Sequence, residues 1–337
     1  MGLKNSLRLG VVVVAGVAAV FALSASAGAQ LVTGTTGPKA THIAYMSKAD
    51  GEADIYAMTT SGFAKINLTH DSTVGLRADS EPAWSPDGQY VAFQRAGLKT
   101  QTSRLFVVRS NGSAEPHALV PQSALGISEM HPNWSPDGKT IVFSSNRTGH
   151  FELYTVGAAG GAARQLTFTA SGVENLEPAW SPDGTAIAFV RHEWSGFGPP
   201  SFPTDSIYVL WLKTHQTVRL TDPGLGKSDC QPSWSGDGMR LAFESNRAGT
   251  EDVYVLDRKG DTLRRVTPLG SDEFHPTWST LGSELAFVSD RTGPTEIYTL
   301  TVAPSTMSLP PMRQLTFDKA PKANPAWERT TMMAPTS

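Results

Sequence analysis

Six times the chain spells Pro-x-Trp, at Pro82–Trp84, Pro132–Trp134, Pro178–Trp180, Pro232–Trp234, Pro276–Trp278 and Pro325–Trp327. Successive tryptophans are 50, 46, 54, 44 and 49 residues apart. A recurrence of that length means one supersecondary unit copied into an array, which constrains the architecture before any local reading. Turns follow four of the tryptophans: Ser-Pro-Asp-Gly at 85–88, 135–138 and 181–184, and Ser-Gly-Asp-Gly at 235–238. Proline presets φ, aspartate hydrogen-bonds onward to the backbone, and glycine takes the φ > 0 position. A short alternating run ending in an aromatic comes next, as in Val91-Ala92-Phe93 and Leu241-Ala242-Phe243. A third run carries an apolar–aromatic pair such as Leu153-Tyr154, and a fourth is placed on Leu-Thr pairs such as Leu68-Thr69 and Leu166-Thr167. Each unit predicts four short β-strands joined by tight turns, the composition of a propeller blade. The expected fold is an all-β, six-bladed β-propeller of four-stranded antiparallel blades spanning residues 42–328.

The ends of the array predict closure. The first unit opens on a second-strand run, Ile43–Met46, with no Pro-x-Trp before it, while an orphan Pro325-Ala326-Trp327 ends the last. The C-terminal strand is therefore expected to complete the first blade, which removes two open sheet edges. In its Pro-x-Trp-Ser-Pro-Asp-Gly, Ala-Phe, Ser-Asn-Arg-x-Gly (145–149 and 245–249) and Leu-Thr elements, the chain resembles the TolB-type, WD40-like β-propeller repeat family. The resemblance implies a propeller face that meets protein, peptide or envelope partners. TolB itself carries an α/β domain ahead of its propeller; here the expectation is an isolated propeller. The sixth turn, Ser279-Thr280-Leu281-Gly282, departs from the pattern.

Residues 1–29 read as a secretory leader: Lys4 and Arg8, an uncharged apolar run Val11–Leu23, then small residues around Ala27 and Ala29. That run is short for a membrane span, so no stable insertion is expected and the location is periplasmic or extracellular. Residues 30–41 and 329–337 read as tails. Without Lys4 and Arg8 the 28 basic side chains become 26 against 31 acidic, a net charge of −5. This balance disfavours nucleic acid as a partner. The single cysteine, Cys230, has no internal partner and is expected to be buried, in a monomer.

The residue before each Pro-x-Trp is polar in all six units: Glu81, His131, Glu177, Gln231, His275 and Asn324. Inner strands line a propeller's channel, so these residues are expected to ring one channel mouth. His131 and His275 would then lie on opposite blades, with Glu81 and Glu177 flanking His131. Asp79, Glu129, Asn175, Asp229, Glu273 and Lys322, two positions earlier, predict a predominantly acidic mouth. Three readings are open for the ring: solvating a channel, binding a partner, or holding a divalent cation. No cofactor or metal is otherwise expected. An insertion in the fourth unit, between His192 and Pro203, adds Trp194, Phe197 and Phe202, either a contact loop or a flap over a blade edge. Arg147, Arg247 and Arg291 are expected to bridge loops, and the six tryptophans to pack between blades.

No Gly-x-Ser-x-Gly elbow, His-Glu-x-x-His, phosphate loop or dinucleotide fingerprint occurs. Two functions are carried forward. One is a non-catalytic secreted scaffold engaging a protein, peptide or glycan partner through the channel mouth and the blade-four loop. The other is a carbohydrate-active enzyme, lyase- or glycosidase-like, with Glu177 or His131 as acid or base.

Overall fold

The computed structural model describes residues 42–70, 76–121, 126–194, 203–302 and 309–328. Six four-stranded antiparallel sheets make up the molecule. Five are consecutive in the chain, starting with the innermost strands Arg77–Trp84, Glu129–Trp134, Val173–Trp180, Asp229–Trp234 and Glu273–Trp278 (blades 2 to 6). Blade 1 takes its innermost strand, Lys322–Trp327, from the other end of the chain, paired antiparallel with His42–Ser47. The expected closure is thus present. The outermost strands are short, for example Ile66–Asn67 and Arg164–Gln165, and they end just before the Leu-Thr pairs instead of containing them.

Those Leu-Thr pairs have a different task. The Thr69, Thr167, Thr221, Thr267 and Thr316 hydroxyls each accept the backbone N–H of a third-strand residue, at 2.9–3.0 Å. In four of these blades the same hydroxyl donates to a buried carboxylate that opens the third strand: Asp54, Glu152, Asp252 or Glu296. The threonine thereby fastens the chain after the outermost strand has ended.

The core is divided into six wedges, one per junction between blades. Alternation within the second strand explains this. In Val91-Ala92-Phe93, Val91 and Phe93 join the wedge against blade 1, while Ala92 joins the wedge against blade 3. The small side chain leaves room for the incoming tryptophan of the next blade, and all six tryptophans are buried. Burying such large aromatic side chains dominates the energetics of each junction.

Each tryptophan also makes a polar contact across its junction, and the middle residue of the preceding Pro-x-Trp selects which. Where that residue is alanine, the indole N–H donates to its carbonyl: Trp84 to Ala326, Trp134 to Ala83 and Trp234 to Ala179, at 3.0–3.2 Å. Where it is polar, its side chain instead accepts the tryptophan's backbone N–H: Asn133 from Trp180 (2.9 Å), Ser233 from Trp278 (3.2 Å) and Thr277 from Trp327 (3.4 Å). In the second group the indole N–H has no hydrogen-bond partner among the described residues.

Asn133→Ala should therefore move this junction to the alanine pattern, with the Trp180 backbone N–H losing its acceptor and the indole N–H gaining the residue-133 carbonyl, at a net cost of no more than about 1 kcal/mol. Thermal unfolding would show it as a lowered Tm, with Ala83→Gly as a comparison that preserves the carbonyl acceptor. A chain stopped after residue 320 lacks the innermost strand of blade 1. Its circular dichroism is expected to lose the cooperative unfolding transition of the full chain, because two sheet edges and one wedge are left open.

Candidate functional site

The six pre-proline residues do come together. Glu81, His131, Glu177, Gln231, His275 and Asn324, with the Pro-x-Trp residues behind them, line one central channel enclosing about 110 Å³. They sit partway along each innermost strand. The backbone explains why they face inward. Ladder registry slips at every one of them: in blade 2, Ser80 pairs with Gln94 and Ala83 with Ala92, so Glu81 and Pro82 together oppose Phe93. The same irregularity recurs in the other five blades. Each first bulge residue has φ of 50–54°. A left-handed conformation costs a non-glycine residue on the order of 1–2 kcal/mol. Proline in the second position suits a bulge, because it lacks the N–H that would otherwise seek a ladder partner.

The bulge N–H groups still need acceptors, and side chains of the preceding blade supply three. Gln94 Oε1 accepts from His131 N (3.1 Å), Glu244 Oε2 from His275 N (2.8 Å) and Glu177 Oε2 from Gln231 N (2.7 Å). Gln94 and Glu244 directly follow the aromatic of their second strands, and sequence reasoning missed them. Their signal was present: the equivalent residue in blade 4, Val190, is apolar, and there the ring residue Glu177 supplies the acceptor itself. Around the ring Asn324 donates to Glu81 Oε1 at 2.7 Å. His131 Nδ1, both ring nitrogens of His275 and Gln231 Nε2 are buried and have no hydrogen-bond partner among the described residues.

The channel is close to neutral. Burial, reinforced by the charge of Glu177, pushes Glu81 up to about 8. Burial pushes Glu177 up to about 7 against the opposing hydrogen bond from Gln231 N–H. Burial also brings His131 and His275 down to about 4, His131 further disfavoured by the other imidazole. Between about pH 4 and 7 two protonated carboxyls and two neutral imidazoles make a ring of hydrogen-bonding groups with little net charge.

The expected acidic mouth is corrected by what lies next to the ring. Asp79, Glu129, Asp229 and Glu273 are fully buried, and each meets an arginine: Arg95 (2.7 Å), Arg147 (3.0 Å), Arg247 (2.6 Å) and Arg291 (2.6 Å). Asn175 accepts from Arg191 at 3.0 Å. Blade 1 inverts the charges, with buried Lys322 held by Asp318. Arg95, Arg147, Arg191 and Arg247 also lie over both aromatic rings of their own blades, Arg147 over Phe143 and Tyr154 at 5.4 and 4.7 Å. These arginines hold an inner strand to its own blade instead of bridging loops. Removing one partner of such a pair typically costs about 3–5 kcal/mol, because the other charge is left buried.

The blade-four insertion is partly strand. Ala186–Trp194 and Pro203–Trp211 continue the hairpin until Trp194 pairs with Pro203. Trp194 is 44% exposed and packs edge-on against His192, with ring centres 5.0 Å apart. Phe197 and Phe202 lie outside the described residues. Across the hairpin His192 Nδ1 meets Asp205 Oδ1 at 2.5 Å, which raises the histidine's pKa, and Asp205 Oδ2 accepts the Ser228 hydroxyl of blade 5 at 2.8 Å. Asp205 was another residue that sequence reasoning missed, its signal masked by an insertion of unknown register. Cys230 is half-buried, and burial pushes its thiol well up, which makes it a poor nucleophile. Elsewhere, Asp50, Asp54 and His70 bring ligand atoms within 4.8 Å of one another. The Asn67 amide already bridges the two carboxylates and the Tyr56 hydroxyl donates to Asp50.

The TolB beta propeller domain family matches residues 18–202 and 201–332, and the chain belongs to that family. A stretch of 62 residues is 39% identical to the Tol-Pal system protein TolB of Desulfosudis oleivorans, covering 18% of this chain and 13% of that one. TolB from Acinetobacter baumannii shares the fold with a TM-score of 0.67 at 21% identity, over 86% of this chain and 66% of that one. The chain thus spans less than two thirds of the length of these two relatives. A putative TolB from Agrobacterium tumefaciens gives 0.61 at 20% identity, over 83% of this chain and 90% of that one. Likeness at such identities establishes the fold alone.

The ring groups make opposing contributions to stability. The two carboxyls keep their protons in the folded state above the ordinary 4.5, so stability falls as pH rises from there to about 8. The two imidazoles stay neutral below the ordinary 6.5, so stability rises with pH between about 4 and 6.5. The trends cancel between 4.5 and 6.5, and only the carboxyl trend persists above. In thermal scans from pH 6.5 to 8.5, Glu81→Gln/Glu177→Gln should lose less Tm than the parent protein. Parallel curves would contradict the neutral channel.

Proposed function

We propose that this TolB-family propeller is an exported, non-catalytic binding scaffold. It engages a protein or peptide partner of the cell envelope through the channel and the adjoining blade-four hairpin. The observation that carries this reading is the ring itself. Six non-glycine side chains are held at positive φ, where their cost is tolerated, and several of their buried nitrogens have no partner among the described residues. Strain maintained at one ring of polar groups is what a pre-organised contact site looks like. The channel encloses about 110 Å³, whereas sites for small organic ligands run to roughly 300–1,000 Å³. A partner's side chain or chain end suits this space better than a sugar ring does. Trp194, exposed at the extended hairpin, supplies an aromatic anchor of the kind that recurs at interfaces.

Export rests on the leader-like residues 1–29 and on the likeness to a Tol-Pal system protein. The acidic balance of the remaining chain is consistent with a partner other than nucleic acid. One observation favours the second reading, a carbohydrate-active enzyme. Glu81 and Glu177 are held near neutrality in pKa, as a general acid requires. An oligogalacturonate lyase from Vibrio parahaemolyticus also shares the fold, with a TM-score of 0.50 at 15% identity over 77% of this chain and 86% of that one.

The test is capture from solubilised host envelope by tagged protein beginning at Gln30. His131→Ala/His275→Ala and a form lacking residues 195–202 serve as controls. A partner retained by the parent and reduced roughly tenfold or more by both controls is the expected result, since tenfold is about 1.4 kcal/mol of contact. Equal capture by all three would remove the channel and hairpin from the site. Bound glycan recovered as cleaved fragments, with cleavage lost in Glu177→Gln, would establish the enzyme reading instead.

A further inference from the structure

Propeller blades invite comparison with one another, and one junction differs from its neighbours on the opposite face, where the Ser-Pro-Asp-Gly turns lie. A single backbone hydrogen bond identifies the equivalent residue in five blades. The N–H groups of Ser110, Ala158, Leu212, Arg258 and Val302 each donate to the residue that precedes the second strand, at 2.8–3.0 Å. In blades 4, 5 and 6 this side chain fills the junction with the preceding blade, whereas in blade 2 it bonds within its own blade. Leu212 packs into the wedge of Trp180, Val302 is buried in the wedge of Trp278, and the Ser110 hydroxyl donates to Gly88 O at 2.8 Å.

Arg258 shows what the junction accepts when the side chain is a cation. Its guanidinium donates to Asp183 Oδ2 at 2.8 Å and to Thr185 Oγ1 at 3.3 Å, with its carbon 5.5 Å from the ring centres of Trp211 and Trp234. Carboxylate below and aromatic alongside is the arrangement that guanidinium chemistry favours.

Between blades 2 and 3 the equivalent residue is Ala158, and a hollow of about 650 Å³ opens there. Its walls include Asp87, Tyr90, Trp134, Asp137 and Ala158. The surrounding framework matches that of the occupied junction in part: the turn carboxylate and one indole recur, while Arg109 and Gln89 stand where Trp211 and Thr185 stand in blade 4. Pro86 packs on Gly138 as Pro182 packs on Gly238, and Trp134 stands where Trp234 stands. Asp87 Oδ1 accepts from Ser85 Oγ (2.6 Å) and Gln89 N (3.0 Å), just as Asp183 Oδ1 accepts from Ser181 Oγ and Thr185 N. Asp87 Oδ2, the counterpart of the oxygen under Arg258, has no hydrogen bond to a described residue. Asp137 adds a second exposed carboxylate at the rim. Arg109 lies 5.5 Å over Tyr90 within its own blade and does not line the hollow, whereas the exposed imidazole of His117 does.

We infer that the hollow between blades 2 and 3 is a socket for an arginine side chain of a partner protein, seated on Asp87 and against the Trp134 side of the junction. It lies on the opposite face from the blade-four hairpin, and it stands or fails independently of the channel reading. The socket differs from a general acidic patch because its turn carboxylate and its indole wall are equivalent to Asp183 and Trp234, which hold Arg258 within the same fold.

The probe is acetyl-Gly-Arg-Gly-amide, titrated into ¹⁵N-labelled full propeller and compared with its lysine and citrulline counterparts. Saturable shifts confined to the Asp87–Gly88 turn, Gly138 and the Trp134 indole N–H are expected. The citrulline peptide should bind roughly tenfold more weakly, having lost the charge-assisted bond. Ala158→Arg, which places the internal cation of blade 5 in blade 3, should abolish the shifts without lowering Tm. Asp87→Asn should weaken them by a similar tenfold. Ala158→Leu, which copies the Leu212 side chain of blade 4, provides a neutral plug should the arginine variant fold poorly. Shifts that fail to saturate, that persist in both plugged variants, or that are equal for arginine, lysine and citrulline would overturn the proposal.

Discussion

Everything in this molecule depends on the contact between one blade's tryptophan and the inner strand of the blade before it. The wedge between two blades is narrow at the channel, so the second strand of the preceding blade must present a small residue to the indole. Alanine or valine alternates there with the bulky residues that face the other way. One tryptophan per junction then provides both the apolar burial and a polar contact. The choice between indole N–H and backbone N–H follows from whether the middle residue of the preceding Pro-x-Trp is Ala83, Ala179 and Ala326, or Asn133, Ser233 and Thr277. A small substitution within the motif thus reroutes a hydrogen bond without altering the fold.

The bulge that precedes each Pro-x-Trp follows from the same packing. Bringing proline and tryptophan against the neighbouring blade requires two residues to oppose one on the second strand. The first of the two is left in a left-handed conformation with its side chain on the channel wall. Blade packing therefore fixes where six side chains meet on the channel wall, and the sequence sets their chemistry: two carboxyls, two imidazoles and two amides. Burial suppresses the charge on all four titratable members. The inner-strand acids next to the ring, Asp79, Glu129, Asp229 and Glu273, are paired with arginines, and these charges neutralise one another.

The sequence made much of this legible and misread some of it. Six blades, the closing strand and the identity of the ring were readable because the repeat fixes which strand carries each residue and which way it alternates. The acidic mouth was misread because Asp79, Glu129, Asp229 and Glu273 have their arginines on the adjacent strand of the same blade (Arg95) or just past its end (Arg147, Arg247 and Arg291), 16 or 18 residues later. That pairing is visible only once strand register is known. Gln94 and Glu244 were overlooked because their function, satisfying a bulge N–H in the next blade, exists only across a junction. The fourth strand was set on Leu-Thr because an apolar residue followed by threonine has strand character, whereas the threonine hydroxyl acts after pairing has ended.

Sequence by itself determined the architecture, since a repeat of this length with four alternating runs has few ways to bury its apolar faces and every copy votes for the same one. It also determined which polar residues meet in the channel. Tertiary structure alone decided their charge state, because a carboxyl's pKa depends on burial and on neighbours contributed by other blades. Tertiary structure likewise exposed the hollow beside Ala158, where a short side chain matters because Leu212, Arg258 and Val302 fill the same position in blades 4, 5 and 6.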